Sequence, residues 1–89
     1  MNELIITQDG TTIFQLNGVP HRNELPAMQY ADGTLKYYVS GSLHNVNGPA
    51  VWRYGEDVTW AYNGKILHVG SDITIVEFRN LIDRFCKNE

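Results

Sequence analysis

The chain repeats itself. Shifted by 23 residues, Asp9-Gly10-Thr11 falls on Asp32-Gly33-Thr34, and Gly18 falls on Gly41 and then on Gly64. His21 falls on His44, Pro26-Ala27 on Pro49-Ala50, and Phe14, Tyr37 and Trp60 share one column. Thr12, Leu35 and Val58 form a second column, and Leu16, Val39 and Tyr62 a third. Repetition at such a period means that one supersecondary unit is stacked on copies of itself, with atypical copies at the ends. The third copy is the decayed one. Gly55-Glu56 stands where Asp-Gly stood, and His68 sits one place late, as in a terminal capping repeat.

Within each copy the period is two. Thr12, Phe14 and Leu16 alternate with Ile13, Gln15 and Asn17, and the same alternation runs from Leu35 to Ser40 and from Val58 to Asn63. This puts one row of side chains on a buried face and the other in water, as in a half-exposed antiparallel sheet. Each strand starts after a turn signal (Asp9-Gly10, Asp32-Gly33, Gly55-Glu56) and ends at another (Asn17-Gly18, Ser40-Gly41, Asn63-Gly64). A second strand per repeat follows the proline, at 27–30 and 50–54, and the same shift makes 4–7 the matching strand of the first unit. The expectation is an antiparallel β-meander of about six short strands, built from β-hairpin repeats.

After Gly70 the pattern becomes helical. Ile75, Phe78, Ile82 and Phe85, widened by Leu81, recur at spacings of three and four, and Thr74-Ile75-Val76-Glu77 fits a capping box, with Ser71 or Asp72 as alternative N-caps. The stripe needs a partner, and the sheet face bearing Phe14, Tyr37 and Trp60 is expected to supply it. The fold class is therefore α+β: residues 1–70 form the sheet and residues 71–89 the helix of one domain. A length of 89 residues allows little more. One cysteine rules out an internal disulfide and favours a reducing compartment. The acid at Glu3 and the short apolar run beside it do not suit a signal peptide, and no run is long enough for a membrane span. A cytoplasmic location follows as the expectation.

The strings Asn17-Gly18-Val19-Pro20-His21-Arg22 with Pro26-Ala27, and Gly41-Ser42-Leu43-His44-Asn45 with Gly48-Pro49-Ala50, resemble a repeat of tailed-phage and giant-virus proteins. That repeat reads roughly Asn-Gly-x-x-His-Arg-x-x-Gly-Pro-Ala, then a strand, Asp-Gly and an aromatic strand. It is similar to MORN-like and YwqK-like β-hairpin repeats, without the MORN glycine spacing. The resemblance covers about residues 9–69. Leu25 replaces the glycine of the first copy, Asn45 the arginine of the second, and the third lacks Gly-Pro-Ala. It implies a viral accessory protein that binds and redirects or inhibits a host protein, defence systems included, and it brings no catalytic residues.

Candidate chemistry is sparse. His21 and His44, with Glu24 nearby, could hold a metal for hydrolysis, but recurrence favours a structural part in which each imidazole pins its own loop. Cys86 lies between Arg84 and Lys87 without a neighbouring histidine, and no serine sits in a nucleophile elbow. No enzyme, metal or cofactor is expected. Tyr38 and Trp52 are expected off the core face beside Lys36 and Arg53, a platform suited to RNA or single-stranded DNA. A net charge of −3 opposes phosphate, while the acids form no stripe that would mimic a duplex. A protein-binding surface remains, with Tyr38, Trp52, Arg53, Tyr30 and Lys36 as contacts for a host or viral partner. Open sheet edges also allow a homo-oligomer.

Overall fold

Turn residues divide the chain into short strands and one helix in the computed structural model, which describes residues 2–87. The strands are β1 (Asn2–Ile6), β2 (Thr12–Leu16), β3 (Val19–Pro20), β4 (Met28–Gln29) and β5 (Leu35–Lys36), then β6 (Tyr38–Val39), β7 (Ser42–Leu43), β8 (Val51–Trp52), β9 (Thr59–Tyr62) and β10 (Lys65–Val69). A single helix, α1, spans Ile75–Lys87. All pairings are antiparallel, and the main sheet runs β1-β2-β4-β5-β8-β9-β10, with β3 on β2 and β6–β7 as a separate ladder. The α+β meander is thus as expected. Four strands are additional: β3, β7 and β10 are the return arms of hairpins, and the strand expected over 35–40 is split at Tyr37 into β5 and β6, in different ladders. Val19-Pro20 and Ser42-Leu43 are too short to show alternation.

The turns that follow β2, β6 and β9 have the same form. Asn17, Ser40 and Asn63 take φ values of 53°, 51° and 48°, and the glycine after each lies near 84°. Two consecutive positive φ values make the type I′ turn, whose twist matches that of the flanking strands. Hydrogen bonds between repeats also obey the 23-residue shift. The Gly41 amide donates to Pro20 O and the Gly64 amide to Leu43 O, both at 2.8 Å. The Arg22 amide donates to Tyr38 O at 3.0 Å and the Asn45 amide to Ala61 O at 3.2 Å. These bonds carry the small β6–β7 ladder into the common layer.

The Pro-Ala motif acquires a packing reason. Phe14 N–H donates to Ala27 O, and Tyr37 N–H to Ala50 O, each at 2.8 Å. Together with the pairings Met28↔Lys36 and Val51↔Thr59, this places Phe14, Ala27, Tyr37, Ala50 and Trp60 in one row across the sheet. Both alanines are completely buried. A larger side chain would compete with the flanking rings for the same space.

The helix begins as the capping box requires. Thr74 N–H donates to Glu77 Oε1 at 2.9 Å, and Glu77 N–H to Thr74 Oγ1 at 3.1 Å. Phe78 and Ile82 pack against Val58 and Trp60, with Val46, Tyr62, Leu67 and Ile73 around them. The Trp60 and Phe78 ring centroids lie 4.9 Å apart, and Trp60 Nε1 donates to Gly70 O at 2.7 Å, so the buried indole is fully satisfied. Arg79 donates from Nε to Val46 O at 3.2 Å and from Nη2 to Asn47 Oδ1 at 2.9 Å, tying the helix to the loop of the second repeat.

Here the expectation for the helix is corrected. It covers Trp60 but neither Phe14 nor Tyr37. A helix is about 10 Å wide and strands lie about 4.8 Å apart, so one helix can shield about two strands. It therefore caps the third repeat alone, and Phe14 and Tyr37 remain half-buried. Ile75, counted in the buried stripe, is 41% exposed for the same reason.

Candidate functional site

The recurring histidines are structural, but not in the way the sequence suggests. Each was expected to pin its own loop; instead it reaches the hairpin turn of the next repeat. The Ser40 amide donates to His21 Nδ1 at 2.8 Å, and the Asn63 amide donates to His44 Nδ1 at 3.0 Å. An acceptor Nδ1 requires the neutral ring with its proton on Nε2. Burial agrees, since it holds the His44 imidazole below its usual range. His68, with no repeat after it, meets Asp72 at 2.7 Å, and this hydrogen bond holds the Asp72 carboxyl below the ordinary carboxylate value. The own-loop contact falls to the next residue. Arg22 Nη1 donates to Pro26 O at 3.5 Å, and Asn45 Nδ2 donates to Pro49 O at 2.9 Å. Asparagine in place of arginine therefore keeps the bond. Among the described residues, no three His, Cys, Asp or Glu side chains are grouped to hold a metal ion. Cys86 is an exposed thiol near the helix end.

The five residues expected to bind a partner divide between the two faces. Tyr30, Lys36 and Arg53 do meet, in a polar recess of about 500 Å³ shared with Asp32 and Glu56. Lys36 Nζ lies 5.1 Å from the centre of the Tyr30 ring, and Arg53 pairs with Glu56 at 3.6 Å. The Thr34 amide holds the Asp32 carboxyl below its ordinary value, with a smaller contribution from Arg53. Arg53 thus faces carboxylates, while Lys36 faces the Tyr30 ring. Tyr38 starts the β6–β7 hairpin opposite Leu43.

Trp52 is a correction. The register pairs Leu35 with Trp52 and Lys36 with Val51, so Trp52 shares the face of Leu35, opposite to Lys36. It was expected off the core face because the loop before it hides the register. The combined platform of Trp52, Lys36 and Arg53 is not assembled. Instead Trp52, 44% exposed, lines an apolar recess of about 360 Å³ with Pro49, Val58, Trp60, Ile73 and Ile75, beside the start of α1.

The aromatic face is where the repeats leave space. Phe14, Leu16, His21, Arg22 and Asn23 line a recess of about 570 Å³. The residues 23 positions on (Tyr37, Val39, His44, Asn45 and Val46) line the next, of about 460 Å³. The corresponding third position, around Trp60, Tyr62 and Leu67, is filled by Phe78 and Ile82 of α1. In the first recess the Arg22 guanidinium lies 3.8 Å from the centre of the Phe14 ring and covers it. The second is lined by Tyr37 and Val39 together with the loops 22–24 and 44–47. Phe14 and Tyr37 escaped notice in the sequence because their column was assigned to the helix interface. The signal that finds them is the width of one helix against three repeats.

No protein family, curated protein or solved structure matches the chain.

Proposed function

We propose that the chain is a non-enzymatic protein-binding module whose partner docks on the aromatic face of the first two repeats, with Trp52 at its margin. One observation carries this: three equivalent recesses follow one another along the sheet, and α1 fills only the last. An unfilled aromatic row beside a filled one has the composition of an interface centre, where Tyr, Trp and Arg dominate binding energy. The resemblance to phage repeats supports a host protein as the partner, with redirection or inhibition of that protein as the outcome. The opposite recess of Tyr30, Lys36 and Arg53 is the weaker anchor, because Arg53 is paired with Glu56 and Lys36 stands over the Tyr30 ring.

The test is capture from a bacterial lysate by the wild type and by a Tyr37→Ser/Trp52→Ser variant, both checked for native circular dichroism. The variant is expected to lose the captured protein, while Lys36→Ala/Arg53→Ala keeps it. Recovery of the same protein by the Tyr37→Ser/Trp52→Ser variant overturns the proposal. Titration with single-stranded RNA is expected to give no salt-dependent binding, since the net charge is −3.

A further inference from the structure

The second recess is built like the site that α1 occupies. Both sit on an aromatic ring of the same column, Tyr37 in one and Trp60 in the other, and both have Val46 in a wall. In the third repeat α1 lays Phe78 on Trp60 and sends Arg79 to the backbone oxygen of Val46 and the side chain of Asn47. Moved back by 23 residues, those two acceptors become Asn23 and Glu24, and both line the wall of the second recess. Glu24 replaces a neutral amide with a carboxylate. Among the described residues it has no ion-pair partner. Its backbone φ is +63°, in the region that favours glycine or asparagine. Asn47 does not share this backbone conformation, so the Glu24 carboxylate lies on the corresponding loop of the second recess but leaves it at a different angle, as a negative charge with no ion-pair partner among the described residues. His44 and Asn23, standing where the third repeat has Leu67 and Val46, make this recess more polar than its neighbour.

We infer that the recess of the second repeat docks an amphipathic helix of a partner protein, an apolar side chain on Tyr37 and an arginine on Glu24. This rests on the aromatic face being the docking surface, and it names the shape and charge of what docks there. The second helix would lie beside α1 with the 44–47 loop between them, so the interface continues one already present in the fold.

The probe is a synthetic peptide with the sequence of residues 71–87, carrying Cys86→Ser and a lactam bridge between positions 76 and 80 on its solvent side. It is titrated into the intact ¹⁵N-labelled protein and followed by NMR. Saturable shifts are expected at the Tyr37, Val39 and His44 amides, with those of Trp60 and Phe78 unmoved. Glu24→Arg in the protein is expected to weaken binding about fivefold, the scale of reversing one exposed charge pair. A peptide with Arg79→Glu should restore binding to that variant. The inference is overturned by shifts confined to Trp60 and Phe78, by indifference to Glu24→Arg, or by no saturable shift at Tyr37. If the peptide fails while Tyr37→Ser/Trp52→Ser still abolishes capture from lysate, the docking face stands and the helix is wrong. If both fail, the face itself is wrong.

Discussion

At the scale of single residues, His21 and His44 join the stack through one nitrogen each. Removing the acceptor from a turn amide costs about 0.5–1.5 kcal/mol, so His21→Ala and His44→Ala should each lower stability by about that much in urea melts. The pH dependence has a definite direction. The folded His44 pKa lies below its ordinary value of 6.5, so the neutral ring is the stabilised form. That contribution is complete above 6.5 and is lost as pH falls through the lowered folded value. Melting temperature should therefore drop on the acid side of neutrality, and less steeply in His44→Gln, whose amide oxygen also accepts. Equal slopes would contradict it. Asp9 and Asp32 lose their contributions at lower pH still, their carboxyls being held down by hydrogen bonds from Thr7 and from the Thr34 amide. Ala50 is a different kind of constraint. Ala50→Leu should destabilise by about 1–3 kcal/mol through overpacking between Tyr37 and Trp60. The histidine and alanine columns are visible in the sequence. The atoms they touch are not, because both contacts cross from one repeat to the next and depend on register.

At the scale of elements, the division is between a third repeat covered by α1 and two repeats without such cover, with Arg79 tying α1 to the loop of the second. Phe78 is wholly buried, so Phe78→Ala should cost about 3–5 kcal/mol. Phe14→Ala, on a half-buried ring capped by Arg22, should cost less than about 2 kcal/mol. Hydrogen exchange in Phe78→Ala should rise first in β9 and β10, and a uniform rise along the sheet would contradict the division. Much of this was legible beforehand. Alternation located β2 and β9, and of the three helix starts that the sequence allows, Ser71, Asp72 and Thr74, the structure uses the capping box of Thr74 with Glu77. The face of Trp52 was not legible, since the 45–49 loop precedes it and only the Leu35 pairing shows which way the strand re-enters the sheet. The short return arms β3 and β7 were hidden too, since two residues carry no period.

At the scale of the molecule, the dimensions are 40 × 31 × 15 Å, a slab thin enough for one sheet with cover at one end. No helix among the described residues is long and apolar enough to cross a membrane. A slab whose third repeat is covered by α1 and whose first two repeats keep half-buried rings has an aromatic surface to offer a partner, and the proposed docking depends on that asymmetry. It is tested by solvent paramagnetic relaxation of the aromatic protons with a neutral gadolinium chelate. Trp52 should relax strongly, the half-buried Tyr37 and Phe14 to an intermediate degree, and Trp60 and Phe78 hardly at all. Protection of Tyr37 equal to that of Trp60 would mean that the face is already covered, and would contradict the account.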